Sequence, residues 1–232
     1  MKILAGKTAV DTLISQGKIF SGMKIGLGTG STALPAVKRL AERIEDGTLK
    51  DIKAVVTSFQ TENYCKDLGI SVYTLNDRAI DGHLDLTIDG ADEIDPDNNL
   101  IKGGGAALLL EKIVAYNSDN YAIVADESKS VSSVGTKFPL PVEIIGGARR
   151  AIEKKLNEMG AKCVLREGVR KCGPVITDNG NQILDCTWEK PVNPVNLEDE
   201  IAGITGVVEV GFFTKLKPVA FIAHNNGKVE IR

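Results

Sequence analysis

Apolar positions along the first half of the chain switch repeatedly between a helical and a strand period. From Thr8 to Ile19 the apolar residues Ala9, Val10, Leu13 and Ile14 recur at helical spacing. Lys24 to Gly28 reads as a short apolar strand, and Gly-Thr-Gly-Ser-Thr then turns into a helix over Ala33 to Ile44. Ile52 to Val56 forms a second strand closing on Thr57-Ser58, followed by a helix over Thr61 to Leu68 and a third strand over Ile70 to Thr74. Leu84, Leu86 and Ile88 alternate into Asp89, so the fourth strand delivers that aspartate at its end. Ala106 to Tyr116 reads as a helix and Tyr121 to Ala125 as a fifth strand. Strands separated by helices predict an α/β fold, a mostly parallel, Rossmann-like sheet flanked by helices.

The pattern changes after Phe138. Pro141 to Ile145 reads as a strand, Ala148 to Met159 as a helix and Lys162 to Arg166 as a strand. Val175 to Thr177 and Gln182 to Thr187 flank the turn sequence Asp178-Asn179-Gly180 and predict a hairpin. A helix over Leu197 to Ala202 and a strand over Val207 to Phe213 follow. The order βαββαβ predicts an inserted ferredoxin-like α+β domain. Val219 to Ala223 and Val229 to Ile231, across Asn225-Asn226-Gly227, form a last hairpin able to rejoin the first sheet. The expected division is therefore 1–134 plus 214–232 for the α/β domain and 135–213 for the insertion.

Composition narrows the function classes. The chain has 232 residues, 43% hydrophobic and 25% charged, as in ordinary globular proteins. A net charge of -3 and no basic patch with interleaved aromatics argue against nucleic acid as a partner. No run approaches the ~18 apolar residues of a membrane span, and the start lacks a signal-type apolar core, so the expected compartment is the cytoplasm. Cys65, Cys163, Cys172 and Cys186 form no C-x-x-C pair and read as reduced packing residues.

Charged residues among apolar neighbours mark the candidate chemistry, because isolated charges are costly to bury. Gly26 to Thr32, between strand and helix, offers free backbone N–H groups and a favourable helix dipole to an anion, with Ser31 or Thr32 available as a cap; a merely tight turn is the alternative. The P-loop lysine is missing, and Thr57-Ser58 stands where a dinucleotide fold carries an acid, so a small phosphate ester fits better than NAD. Asp89 and Asp92 flank Gly90-Ala91 just past a strand end, where open α/β sheets bind ligands. The alternative of a calcium loop fails, since Leu100 and Ala106 replace the required glycine and glutamate. Glu93, Asp95 and Asp97 read as surface acids, and His83 and His224 adjoin no motif. Lys102, ahead of three glycines, reads either as an oxyanion partner or as a surface lysine. Glu111 interrupts an apolar helix on the side of Ala107, Leu108 and Ala115. It reads as a general base, or else as the exposed stripe of that helix beside Lys112.

Together these segments resemble the ribose-5-phosphate isomerase A family over nearly the full length. The resemblance rests on Gly28 to Thr32, Asp89-Gly-Ala-Asp92-Glu93, Lys102 to Ala107 with Glu111-Lys112, and Ala125-Asp-Glu-Ser-Lys129. Phe138 to Glu143 and Val175 to Gly180 resemble segments of the family's small domain. It implies an aldose–ketose isomerase interconverting D-ribose 5-phosphate and D-ribulose 5-phosphate in the non-oxidative pentose phosphate pathway. Glu111 falls at the base, Lys102 with the amides of Gly103, Gly104 and Gly105 at the enediolate cradle, and Asp89 and Asp92 at the sugar hydroxyls, one of them assisting ring opening. Thr29, Gly30, Ser31 and Thr32, together with Gly90, Ala91 and Lys129, fall at substrate contacts, and Lys7 at a phosphate-proximal lysine. No metal and no organic cofactor is implied, and a homodimer or homotetramer is expected. Competing readings are a coenzyme A transferase with Glu111 as nucleophile, a non-catalytic sugar-phosphate sensor, and an isomerase or deaminase of amino-sugar phosphates.

Overall fold

The computed structural model describes residues 1–232, which divide into two compact units. The first comprises 1–91, 110–129 and 216–232; the second comprises 92–109 and 130–215. The segment 92–109, expected in the α/β domain, thus groups with the smaller unit. Its strand residues pair locally and with Phe212-Phe213 rather than with the large sheet.

In chain order the elements are α1 (Lys2–Ser15), β1 (Lys24–Leu27), α2 (Leu34–Glu45), β2 (Lys53–Val56), α3 (Phe59–Asp67), β3 (Val72–Tyr73), β4 (Leu84–Gly90), β5 (Glu93–Ile94), β6 (Leu100–Ile101), α4 (Leu108–Tyr116) and β7 (Ser118–Asp126). They continue with β8 (Leu140–Ile144), α5 (Arg149–Glu158), β9 (Lys162–Leu165), β10 (Gln182–Thr187), α6 (Pro194–Ala202), β11 (Val207–Val210), β12 (Phe212–Phe213), β13 (Val219–Ala223) and β14 (Val229–Ile231).

The first unit holds a seven-stranded sheet ordered β14-β13-β7-β4-β1-β2-β3, parallel except for the β14 edge. Ile25 and Leu27 of β1, Leu86 and Ile88 of β4, and Ala122 and Val124 of β7 are all buried, as a sheet covered on both faces requires. Ala5, Ala9, Val10 and Leu13 of α1 and Ala36, Val37 and Leu40 of α2 complete that core. The chain runs outward from β1 to β3 and then returns to β4 on the other side of β1. That reversal is a topological switch point, and ligands bind outside the carboxyl ends of the strands beside it. Helix α1 starts and stops earlier than its apolar pattern suggests. Gly17 leaves the helix at φ +68°, and the Ile19 N–H turns back to the Leu13 carbonyl.

The second unit carries a four-stranded sheet, β11-β8-β10-β9, with every neighbouring pair antiparallel. With α5 and α6 it runs βαββαβ, the split order in which β10 inserts between β8 and β9. Leu140, Val142 and Ile144 of β8 bury against Ile152 and Leu156 of α5 and Ile201 of α6. Two expectations need correction here. Val175 to Thr177 is not a strand; the Thr177 hydroxyl instead accepts from the N–H groups of Asn179 and Asn181. Val207 to Phe213 is two strands, because β11 pairs with β8 whereas β12 pairs with β6. Gly211 makes the break: a Cβ there would lie 2.6 Å from the Lys102 carbonyl oxygen.

Glu93 and Asp95 are also buried rather than surface acids. Glu93 accepts from the backbone N–H groups of Gly135, Lys137 and Phe138 at 2.5, 2.6 and 2.6 Å. Asp95 closes its own turn through the N–H groups of Asp97 and Asn99. Asp97 itself is exposed.

Glu143 on β8 is fully buried, and its Oε1 accepts from Thr177 Oγ1 and Asn181 Nδ2, both at 2.9 Å. Burial raises its carboxyl above the ordinary glutamate range, with those two hydrogen bonds opposing the shift. A raised acid favours the folded state at low pH, and that contribution is lost as pH rises through the folded value. Glu143→Gln keeps the accepting oxygen. Its melting temperature is expected to match the parent near pH 4 and exceed it at pH 8, a difference that thermal melts across pH would detect.

Candidate active site

In the first unit, β4 ends by placing Asp89 at 0% exposure beside the turn that follows β1. Its Oδ1 accepts from the N–H groups of Thr29 at 3.2 Å and Gly90 at 2.7 Å. Gly28 is required for this approach, since a Cβ there would lie 1.8 Å from the same oxygen. That glycine makes room for the Asp89 carboxyl group rather than for a bound phosphate.

The Thr29 hydroxyl bonds to Thr57 Oγ1 at 2.6 Å and Ser58 Oγ at 2.7 Å, while Thr61 Oγ1 donates to the Gly28 carbonyl. The Thr57-Ser58 pair that argued against a dinucleotide therefore anchors the 29–32 turn, and Ser58 also caps α3. Gly30 takes φ +94°, Ser31 is exposed and Thr32 is buried. Neither Ser31 nor Thr32 caps α2: the cap position is Ala33, without a side-chain bond, and proline opens the helix. Gly90 leaves space against Thr32, and Ala91 is buried.

Glu111 lies in the first turn of α4 at 4% exposure, and Lys112 beside it is at 5%. The exposed-stripe reading of this helix therefore fails. A carboxylate in the first helical turn is also favoured by the helix dipole. The charges of Asp89 and Glu111 both act on a residue that the sequence did not single out, Tyr121 of β7. Its hydroxyl is buried with no hydrogen bond from the protein. Burial, the Asp89 carboxylate and then the Glu111 carboxylate push its phenol well above the ordinary tyrosine range. The available signal was a lone hydroxyl in the apolar run Tyr-Ala-Ile-Val-Ala.

Lys129 follows β7 in a single 3-10 turn and is half-buried. Lys7 sits on the exposed side of α1, 3.5 Å from the Glu42 carboxylate. It is the ammonium of Lys2 that donates to Ser31 Oγ, at 2.8 Å.

In the second unit, Lys102 is buried at 2% exposure, with its ammonium 5.6 Å from the centre of the Phe213 ring. This excludes the surface-lysine reading. Gly103 takes φ +101° and Ala106 +58°, a left-handed backbone that non-glycine residues adopt only at some strain. The Gly104 N–H donates to Asp92 Oδ2 at 2.7 Å, so Asp92 holds one of the three glycine amides expected in the cradle. Arg166, not singled out as a site residue in the sequence, also reaches this loop. No three His, Cys, Asp or Glu side chains are placed to hold a metal ion, and no helix is long and apolar enough to cross a membrane.

A glycine turn after β1 and an aspartate closing β4, at the switch point of a parallel sheet, define an open α/β enzyme with its crevice at the strand ends. The model of the family described as ribose 5-phosphate isomerase A (phosphoriboisomerase A) matches residues 53–227. A ribose-5-phosphate isomerase A of Treponema denticola is 60% identical over 96% of this chain and 94% of its own length. That of Bacillus mycoides is 47% identical over 98% and 97%. Among solved structures, the ribose 5-phosphate isomerase A of Methanocaldococcus jannaschii superposes with a TM-score of 0.90 at 40% identity, covering 100% of this chain and 97% of that one. A D-ribose-5-phosphate isomerase in complex with phospho-erythronic acid gives 0.92 at 39%, covering 100% and 98%. The chain belongs to the ribose-5-phosphate isomerase A family.

Proposed function

We propose that this isomerase interconverts D-ribose 5-phosphate and D-ribulose 5-phosphate through a cis-enediolate, with Glu111 as the only proton carrier between C1 and C2. The observation that carries the reading is a carboxylate buried at 4% exposure in the first turn of a mostly apolar helix, whose charge, with that of Asp89, raises the Tyr121 phenol. Glu111 takes the C2 proton of the open aldehyde, and the electron pair moves through C1–C2 onto the C1 oxygen. Lys102 and the amides of Gly103 and Gly105 stabilise that developing charge, as preorganised donors do in other enzymes, while Asp92 holds the Gly104 N–H. The C2 hydroxyl proton then passes to the C1 oxygen as the C2 carbonyl forms, and Glu111 returns the carried proton to the C1 carbon. Asp89 and Asp92 hold sugar hydroxyls, and the 29–32 turn with Lys129 and Lys7 receives the substrate's phosphate end.

The chemistry needs no electron carrier, because oxidation at C2 balances reduction at C1. The purified protein is expected to form ribulose 5-phosphate from ribose 5-phosphate at an undiminished rate in EDTA. Absence of product would overturn the substrate assignment, and loss of rate only with EDTA would overturn the metal-free route.

A further inference from the structure

We propose that Arg166, itself held by Asp185, is a positioning residue that fixes the peptide planes of the Lys102–Gly105 loop. The inference rests on the reading of that loop as the enediolate cradle. Arg166 stands just past β9, and its N–H donates to the Ile183 carbonyl across the ladder to β10. Its guanidinium grips Asp185 with two parallel bonds, Nε to Oδ2 at 2.9 Å and Nη2 to Oδ1 at 2.5 Å. The remaining nitrogen, Nη1, donates to the Gly103 carbonyl at 2.8 Å and the Gly104 carbonyl at 3.2 Å. Both side chains are mostly buried, at 15% and 21% exposure.

A trans peptide carries its C=O and the next N–H in one plane, pointing opposite ways. The Gly103–Gly104 peptide is therefore clamped at both ends, with Arg166 on its carbonyl and Asp92 on its N–H. The Gly104 carbonyl bond in turn aims the Gly105 N–H away from Arg166. Three consecutive glycines have no side chains to fix these planes, and besides the Ala106 N–H on the Gly103 carbonyl the groups that fix them, Arg166 and Asp92, lie outside the loop. The fixed fork of arginine suits three simultaneous partners, and the point charge of lysine does not.

Arg166→Met and Arg166→Lys are both expected to lower kcat by about 10²-fold, the scale of a small misplacement of catalytic groups, with KM changed much less. A merely structural role would lower the melting temperature and leave kcat intact in the folded protein. If Arg166→Met does not fold, Asp185→Asn supplies the test, since it keeps shape and weakens the grip. Lys102→Met separates the two readings. Unchanged kcat there overturns the cradle itself, whereas loss there with full kcat in a folded Arg166 variant overturns only the role of Arg166.

Independently, we infer that Cys163 and Cys186 form a site of reversible oxidation. They face each other directly in the β9–β10 ladder, with Sγ atoms 3.4 Å apart. The Arg166 N–H to Ile183 carbonyl bond marks that pair as hydrogen-bonded. Counting back by alternation, 163/186 is a non-hydrogen-bonded pair, the closer class, with Cα atoms about 4.5 Å apart. That separation lies inside the range disulfides need.

Cys163 is half-buried and so reachable, and the bond from Cys186 holds its thiol below the ordinary range, against the effect of burial. Its thiolate would break the O–O bond of hydrogen peroxide, giving a sulfenic acid and, with one proton, water. The Cys186 sulfur then attacks Cys163, and the departing hydroxide leaves as water with the thiol proton. After one equivalent of peroxide, four free thiols are expected to fall to two, with the two peptides joined in a non-reducing digest. Cys163→Ser should leave Cys186 reduced. Oxidation of Cys172 alone, or a sulfinic Cys163 beside a free Cys186, would overturn the assignment.

Discussion

Replacing Glu111 by glutamine is expected to lower kcat by roughly 10²–10⁴-fold, the range for loss of a general base. The amide matches the carboxylate in shape and fills the same buried position in α4, so the melting temperature should hold and KM should change little. It can neither accept the C2 proton nor deliver it to C1. Exchange of the substrate's C2 proton with solvent deuterium should therefore fall together with turnover. Near-normal turnover in a normally folded variant would sink the mechanism. Loss of activity alone does not exclude a coenzyme A transferase using Glu111 as nucleophile, which would lose activity in this variant too. In that case, however, the parent protein would form a covalent acyl adduct on Glu111 with an acyl-CoA, visible by mass. The present reading expects none.

How much of this was legible in advance follows a physical division. Period and strand-end position were enough for Asp89, because Leu84, Leu86 and Ile88 alternate into it. Glu111 stood out because a charge among apolar residues is costly unless it has a use. Features that depend on long-range register were not legible. Strands β5, β6 and β12 are two residues long, too short to show a period, and exist through their pairing with each other. The burial of Glu93 depends on three amides some forty residues away. Arg166 and Asp185 lie in segments read only as strands, and it is the β9–β10 pairing that brings their side chains together. Gly28 was noticed for a reason that the structure replaces, because a bare glycine does not say which neighbour needs the space.

That replacement makes Gly28→Ala an informative substitution. If Gly28 served the approach of a phosphate, an added methyl would weaken substrate binding and leave the rest intact. In the structure the methyl would meet Asp89 at 1.8 Å from Oδ1, 2.0 Å from Cγ and 2.6 Å from Cβ. Contacts this short force the carboxylate off the Thr29 and Gly90 amides, leaving buried groups without their bonds. Overpacking of this kind destabilises by about 1–3 kcal/mol, and a displaced Asp89 is expected to lower kcat by about 10²-fold. Gly30→Ala is the paired control. Gly30 has open space around it but a φ of +94°, so alanine there strains the turn locally without touching Asp89. Its effect should fall mainly on KM through the 29–32 turn. Thermal melts with kcat and KM for both variants decide the matter: a Gly28→Ala enzyme with parental kcat would mean that Asp89 has another stable position, and that its placement by β4 is not what the chemistry uses.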